Sequence, residues 1–401
     1  MESKIWGNYK VHPLIDKYTK GSDLTADSRL LKYDIEASLA HINMLFSIKV
    51  LNKSELKLLN NSLSQIKKNV DKDKFIIPEH YEDGHSYLEA ELTAMCGETG
   101  KKVHFLRSRN DQSAVMLRLF MKDVLTKIET QIGDIVQNLQ AQSAKNMNVP
   151  MPGYTHMQKA MPASVSMWLE SYSDGLEDLL GSLKALKKII DQNPLGTGAG
   201  FGFSGQKIQP HRDPVTKKLG FFKTQQNPMY CGMSRGYFEL IYLQSLHPLS
   251  LLASQWSSDM LMFTMSEFSY FSLPKSFTTG SSIMPQKHNF DVLEIMRGQE
   301  SSYWGNVEQI HGIIAKKTSG YQRDLQLTKL PFVQAIDGLS ETLQVWLLVI
   351  KNLQINEENL KQSMTPELHA TAQANDLVAG GQSFREAYLT VKKELENLNE
   401  K

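Results

Sequence analysis

The sequence predicts an all-α protein with a long central helical bundle. Three observations predict it. Prolines are clustered, apolar residues recur in steps of three and four, and no run of short alternating strands is evident between turn signals. The 14 prolines leave the stretches Pro78 to Pro150, Pro285 to Pro331 and Pro331 to Pro366 empty. Proline lacks the amide hydrogen and clashes with the preceding turn, so helix interiors expel it. These stretches are room for long helices.

The elements follow in order. Residues 1–107 carry shorter helical patterns, such as Leu56, Leu59, Leu63 and Ile66, and form an N-terminal helical domain. Residues 108–355 carry five stripes and form the central bundle. The first runs Leu117, Met121, Val124, Ile128, Ile132, Ile135, Leu139, and the second Leu169, Tyr172, Leu176, Leu179, Leu183, Leu186, Ile190. The third runs Phe238, Ile241, Ser245, Leu249, Leu252, Trp256, Met260, Phe263. The fourth is Leu293, Met296, Glu300, Trp304, Val307, Ile310, Ile314, and the fifth Ile336, Leu339, Leu343, Trp346, Ile350. At ~1.5 Å rise per residue such helices are roughly 30–50 Å long. Residues 356–401 form a small C-terminal helical domain. There Thr365-Pro366-Glu367-Leu368 reads as a helix start with proline at the first helical position.

Composition excludes several classes. The 401 residues carry 44 Lys+Arg against 43 Asp+Glu, a net charge of +1, so no basic excess points to nucleic acid. The longest nearly apolar run, Val345 to Ile350, is far short of the ~20 residues a membrane span needs. Met1 to Trp6 lacks the apolar stretch of a signal peptide. Two cysteines, Cys96 and Cys231, stand far apart, which excludes a disulfide framework and fits a cytoplasmic setting. Gly200-Phe201-Gly202-Phe203-Ser204-Gly205 matches a dinucleotide fingerprint on paper. It follows a helix rather than a strand, and Pro210 and Pro214 come soon after, so a glycine-rich loop is the better reading. No Cys/His spacing points to zinc.

Three segments break the helical pattern with dense polar residues. Arg107-Ser108-Arg109-Asn110-Asp111-Gln112 opens the first long helix. Taken alone it reads as capping, although arginine forks at a helix start also suit a carboxylate. Pro150 to Gln158 joins the first two long helices, and its prolines and glycine make a rigid turn with Thr155 and His156 at the tip. A histidine there can exchange protons near neutral pH, although a lone loop histidine is more often only solvated. Gly280 to Phe290 offers Ser281, Ser282, Lys287 and Asn289 within a few residues, which suits an anion better than a mere linker.

The third segment, Gly280-Ser281-Ser282-Ile283-Met284-Pro285-Gln286-Lys287-His288-Asn289, closely resembles the G-S-S-x-M-P-x-K-x-N signature of the fumarase/aspartase superfamily. Within that superfamily the chain is most similar to the argininosuccinate lyase family. Further matches are Ser108 to Gln112, Gly153 to Gln158, Pro194 to Ala199 and Gly320 to Lys329, in the family's order. The resemblance covers about residues 30 to 390. It implies three mainly helical domains, whose central bundles pack as the core of a homotetramer with active sites shared between subunits. It also implies reversible cleavage of argininosuccinate to arginine and fumarate, with no metal or organic cofactor.

The resemblance also implies roles. Ser281 would be the base, with Lys287 and loop amides lowering its pKa. Lys287 and Asn289 would bind the fumarate-side carboxylates. His156 would move a proton to the leaving nitrogen, oriented by Glu294. Thr155 and Asn110 would hold carboxylates, and Tyr321, Gln326 and Lys329 the arginine half. Arg109 and Arg235 are further binding positions, and together with Lys287 and Lys329 they suggest a cationic pocket. Asp83 and His85 match an Asp-x-His element of the family. Two departures stand out: Leu106 replaces the usual glycine before Arg107, and Phe290 the usual proline after Asn289. Ser22 or Asp23 is the nearest counterpart of the family's N-terminal substrate-side serine.

Overall fold

The proline-free stretches are helical in the computed structural model, which describes residues 11–72 and 75–399. The segment Met1 to Trp6 lies outside the described residues. The five stripes become the helices Arg109–Lys145, Val165–Ile190, Tyr237–Phe263, Asp291–Ile314 and Lys329–Lys351. Every residue of the first and fifth stripes is buried. In the fourth, Tyr303 takes the inward place expected of Trp304, which is 38% exposed and packs on the His247 ring at 4.5 Å. Pro248 sits inside the Tyr237–Phe263 helix, so proline avoidance is a tendency here and not a rule.

The chain forms two units. One comprises residues up to Ile128, Ser182–His247 and Ser301–Gly338; the other comprises Glu129–Gly181, Pro248–Glu300 and residues from Leu339 onward.

The first unit contains more helix than the pattern before residue 108 foretells. Helix Asp23–Ser47 has 25 residues. Its inward face carries Asp27, Asp34, Ser38 and His41 beside Leu30, Leu31, Ile35 and Ile42, so polar residues interrupt its apolar stripe. Helix Lys53–Val70 matches expectation and starts with a capping box. Glu55 N–H donates to Asn52 Oδ1 and Asn52 N–H to Glu55 Oε2, both at 2.9 Å, which satisfies two orphan donors of the first turn.

The second unit is built on aromatic rings. Trp168 stacks on Phe271 at 4.8 Å and on Trp256 at 6.3 Å, and Trp256 meets Trp346 at 5.8 Å. Trp168 Nε1 and Tyr172 Oη both donate to Asp259 Oδ2, at 2.9 and 2.7 Å. A half-buried carboxylate thus receives two donors whose loss of water it offsets. Thr365 precedes a short 3₁₀ turn, Pro366–His369, that leads into helix Ala370–Ala379. With Phe384–Asn399 this helix buries Ala374, Ala387 and Val391.

Segment Arg323–Lys351 is long and apolar enough to cross a membrane, and half of its most apolar stretch is buried. The expectation that nothing approaches that length overlooked how few charges interrupt this helix. Its apolar face, including Ile336, Leu343 and Trp346, is used as core, which is how an internal helix behaves.

Candidate active site

In the first unit a cavity of about 170 Å³ is lined by Asp23, Glu82, Asp83, His85, Arg109, Asn110, Ser113, Arg235, Tyr321, Arg323, Gln326 and Lys329. All six binding positions expected in this part of the chain, Arg109, Asn110, Arg235, Tyr321, Gln326 and Lys329, face it. Of the two N-terminal alternatives, Asp23 lines the cavity and Ser22 does not.

Helix ends place these groups. Asp83 caps helix Gly84–Cys96, accepting from the Ser86 N–H and hydroxyl at 2.7 Å each. Gly84 lets that helix start approach helix Asp23–Ser47: its N–H donates to Asp27 Oδ2 at 2.9 Å, and a Cβ would stand 3.1 Å from the Asp27 side chain. Helix Arg109–Lys145 starts where Asp111 is buried. Asp111 accepts from the N–H groups of Ser108 at 2.8 Å, Gly196 at 3.1 Å and Gly198 at 2.9 Å. That ties the Pro194–Ala199 segment to the helix start. Burial outweighs these bonds and raises the Asp111 pKa to about 6. Just before this start, Leu106 has φ 62°, the left-handed region where glycine is at ease. Leu106 is buried, and its packing offsets the strain.

The charges correct one expectation. The cavity is not simply cationic: it holds three carboxylates and four cations besides His85. Arg109 Nη1 meets Asp83 Oδ2 at 2.9 Å and Glu82 Oε2 at 3.2 Å. Lys329 Nζ is in ion-pair contact with Asp23 Oδ1 and donates to Asp27 Oδ1 at 2.7 Å. Burial works against the ammonium, but the two aspartates outweigh it and raise the Lys329 pKa. Burial likewise raises the Asp23 pKa to about 6, against the pull of Lys329. Arg323 pairs with Glu82 at 3.2 Å. Arg235 differs. It is 4% exposed, its Nε has no hydrogen-bond partner, and its guanidinium lies 5.4 Å from the centre of the Tyr321 ring. Gln326 spends its amide hydrogens on the carbonyls of Thr19 and Lys20 at 2.9 and 3.0 Å, leaving Oε1 as an acceptor.

The second unit carries the remaining positions. Residues Pro150–Thr155 and Gln158–Ser164 form an antiparallel hairpin, where the sequence suggested only a turn. Three prolines and a glycine hide strands of this kind. Gly153 sits at a register shift, and a Cβ there would come within 2.9 Å of the Met161 carbonyl. His156 and Met157 form the two-residue turn with φ 53° and 61°, which only a primed turn requires. Thr155 and His156 are exposed at the tip, as expected. Tyr154 Oη bonds Tyr270 Oη at 2.8 Å and Lys159 donates to the Ser363 carbonyl at 2.9 Å, which anchors the strands.

The signature loop closes at its base through a two-residue ladder, Thr279 to Asn289 and Gly280 to His288. Ser281 Oγ accepts from the N–H groups of Met284 at 3.1 Å and Ile283 at 3.4 Å. Lys287 is exposed, and so is Glu294 in the first turn of helix Asp291–Ile314. Among the described residues no hydrogen bond or ion pair joins Glu294 to His156, or Lys287 to Ser281. Sequence reasoning did not single out Glu82, Ser113 and Arg323 of the cavity. The signals were of position only: Glu82 adjoins the Asp83-x-His85 element, Ser113 follows the Ser108–Gln112 match, and Arg323 lies inside the Gly320–Lys329 match.

Comparisons with known proteins agree with this fold and these motifs. A family model described as lyase matches residues 7–304. The argininosuccinate lyase of Thermotoga neapolitana is 37% identical over 392 residues, covering 98% of both chains. That of Sorangium cellulosum is 38% identical over 94% of this chain and 87% of its own. A crystal structure of an EDDS lyase with formate superposes with a TM-score of 0.77 at 22% identity, over 98% of this chain and 77% of that one. The extent of these matches, with the signature loop and the Ser108–Gln112 helix start in place, assigns the chain to the argininosuccinate lyase family of the fumarase/aspartase superfamily.

Proposed function

We propose that this protein cleaves argininosuccinate reversibly to L-arginine and fumarate, a step of arginine biosynthesis. The observation that carries the reading is Ser281. Its oxygen faces two backbone N–H groups in the family's signature loop. A serine hydroxyl is a weak base, and it becomes effective only where its alkoxide is stabilised. The loop amides supply that stabilisation, and Lys287 adds positive charge.

The reaction runs by proton loss. Ser281 removes a proton from the carbon next to a carboxylate, and charge spreads into that carboxylate as a dianion. Fixed donors placed where the charge develops lower the barrier most, and Lys287, Asn289, Thr155 and Asn110 are the proposed donors. The bond to the guanidino nitrogen then breaks. His156 delivers a proton to that nitrogen, with Glu294 holding its tautomer. Tyr321, Gln326, Lys329, Arg109 and Arg235 form the binding cavity. Gln326 Oε1 and the carboxylates of Asp23 and Glu82 suit a guanidinium end better than a purine. That favours argininosuccinate over adenylosuccinate.

In one chain His156 and Glu294 are exposed and make no contact with each other. This supports a homotetramer whose active sites draw residues from several chains; a cytoplasmic setting without nucleic acid or membrane is proposed from the near-neutral charge and the two distant cysteines. The test is direct. Purified protein is given argininosuccinate, adenylosuccinate or aspartate, and fumarate is followed by ultraviolet absorbance. Fumarate from argininosuccinate alone is expected; none from it, under conditions where the protein is folded, rejects the proposal.

A further inference from the structure

Three buried side chains of the first unit form a chain that the scheme above does not use. His85 Nδ1 lies 2.7 Å from Asp34 Oδ2, and His85 Nε2 lies 3.0 Å from Ser113 Oγ. Asp34, His85 and Ser113 are 0%, 5% and 6% exposed. They come from three helices: Asp23–Ser47, Gly84–Cys96 and Arg109–Lys145. His85 and Ser113 line the cavity, and Asp34 is not among its lining residues.

The direction of the second hydrogen bond decides what Ser113 offers. The Asp34 carboxylate accepts only, so His85 Nδ1 carries a proton. With a neutral ring, Nε2 accepts the Ser113 proton and the cavity sees only an oxygen lone pair. With a charged ring, Nε2 donates to Ser113 Oγ and the hydroxyl proton is free to point at a bound molecule. Burial opposes the charged ring. Asp34 and Asp27 from one helix and Asp83 from the start of another outweigh it, so the His85 pKa lies above its ordinary value. His104, from the Lys102–His104 turn, has its pKa lowered by burial and by Arg107, with His85 a smaller cause, so it is held toward its neutral form. An acyl-transfer triad, which the same three residue types suggest, needs an unprotonated Nε2 and is disfavoured here. The cavity already holds one donor without an acceptor, Arg235 Nε. A free Ser113 hydroxyl adds a second, and two donors without acceptors suit a carboxylate.

We propose that Ser113 contacts a carboxylate of the bound substrate, and that Asp34 and His85 are positioning residues that turn its hydroxyl proton into the cavity. This rests on reading the cavity as the argininosuccinate site.

Steady-state cleavage of argininosuccinate by full-length variants tests it. Ser113→Ala is expected to raise KM about ten-fold or more, with kcat within about three-fold, because a hydrogen bond to a charged group made equally in ground and transition states is lost. Ser113→Thr keeps the hydroxyl and should restore most of the affinity. Asp34→Asn should raise KM similarly, and adding Ser113→Ala to it should cost nothing more. Multiplying losses would mean that Asp34 acts independently, which overturns the positioning role. An unchanged KM in folded Ser113→Ala, with active wild-type protein, overturns the contact. Wild-type protein that fails to cleave argininosuccinate rejects the functional reading itself, before any variant is compared.

Discussion

The cavity of the first unit and the hairpin and loop of the second hold similar residue types in opposite states. In the cavity Arg109 and Lys329 are locked in ion pairs, Lys329 between two buried aspartates. In the second unit His156, Lys287 and Glu294 are exposed, and among the described residues they make no ion pair. Burial with a partner fixes position, because separating such charges leaves one of them uncompensated. An exposed side chain keeps its freedom and its full chemical reach. On the function proposed above, the contrast separates residues that hold a molecule from residues that act on it. On that proposal the acting residues are ordered by something beyond their own chain.

Substitutions break the contrast in order of expected size. Ser281→Ala should lower kcat by roughly 10³-fold with the melting temperature unchanged, since it removes a base and no core contact. Fumarate release beside a thermal melt checks it, and retained activity would place the base elsewhere. Lys329→Met should act the other way. Leaving Asp23 and Asp27 buried without their cation should cost roughly 3–5 kcal/mol of stability, read by denaturant unfolding. Lys287→Met should be neutral in the same measurement, since an exposed charge is worth about 0–1 kcal/mol.

Asp111 makes a pH prediction. Its folded pKa of about 6 lies above that of an unfolded aspartate, about 3.9, so the folded state holds its proton more tightly. Stability from this group is complete below the unfolded value and is lost as pH rises through the folded one. Between pH ~4 and ~6 the protein should therefore lose up to about 3 kcal/mol through Asp111. Asp111→Asn should flatten that part of the profile of unfolding free energy against pH. An unchanged slope would refute it. The smallest effect is at the hairpin tip. Met157→Gly should relieve a left-handed residue and stabilise by at most about 1 kcal/mol, since glycine's entropy offsets part of the gain. A clear loss of stability would show that Met157 makes contacts that outweigh its strain.

The long helices were legible because a packed helix needs an apolar stripe, and Leu117 through Leu139 supplies one without interruption. The 25-residue helix before residue 108 was not, because its buried face mixes Asp27, Asp34 and His41 with leucines. The hairpin escaped for a similar reason. Pro150, Pro152 and Pro162 argue against strands, and His156 and Met157 do not announce a turn that glycine or asparagine normally fills. The signature loop could be read because its residues are contiguous. The pairing of Lys329 with Asp27, some three hundred positions away, could not, since nothing local records such a partner.

The central claim is that the reactive groups become a site only when chains combine, and subunit exchange tests it most directly. His156→Ala and Lys287→Ala proteins, each inactive, are mixed under conditions that exchange subunits, with exchange verified by the mass of mixed oligomers. The account predicts argininosuccinate cleavage that neither parent shows. A mixture as inactive as its parents, after verified exchange, would contradict it.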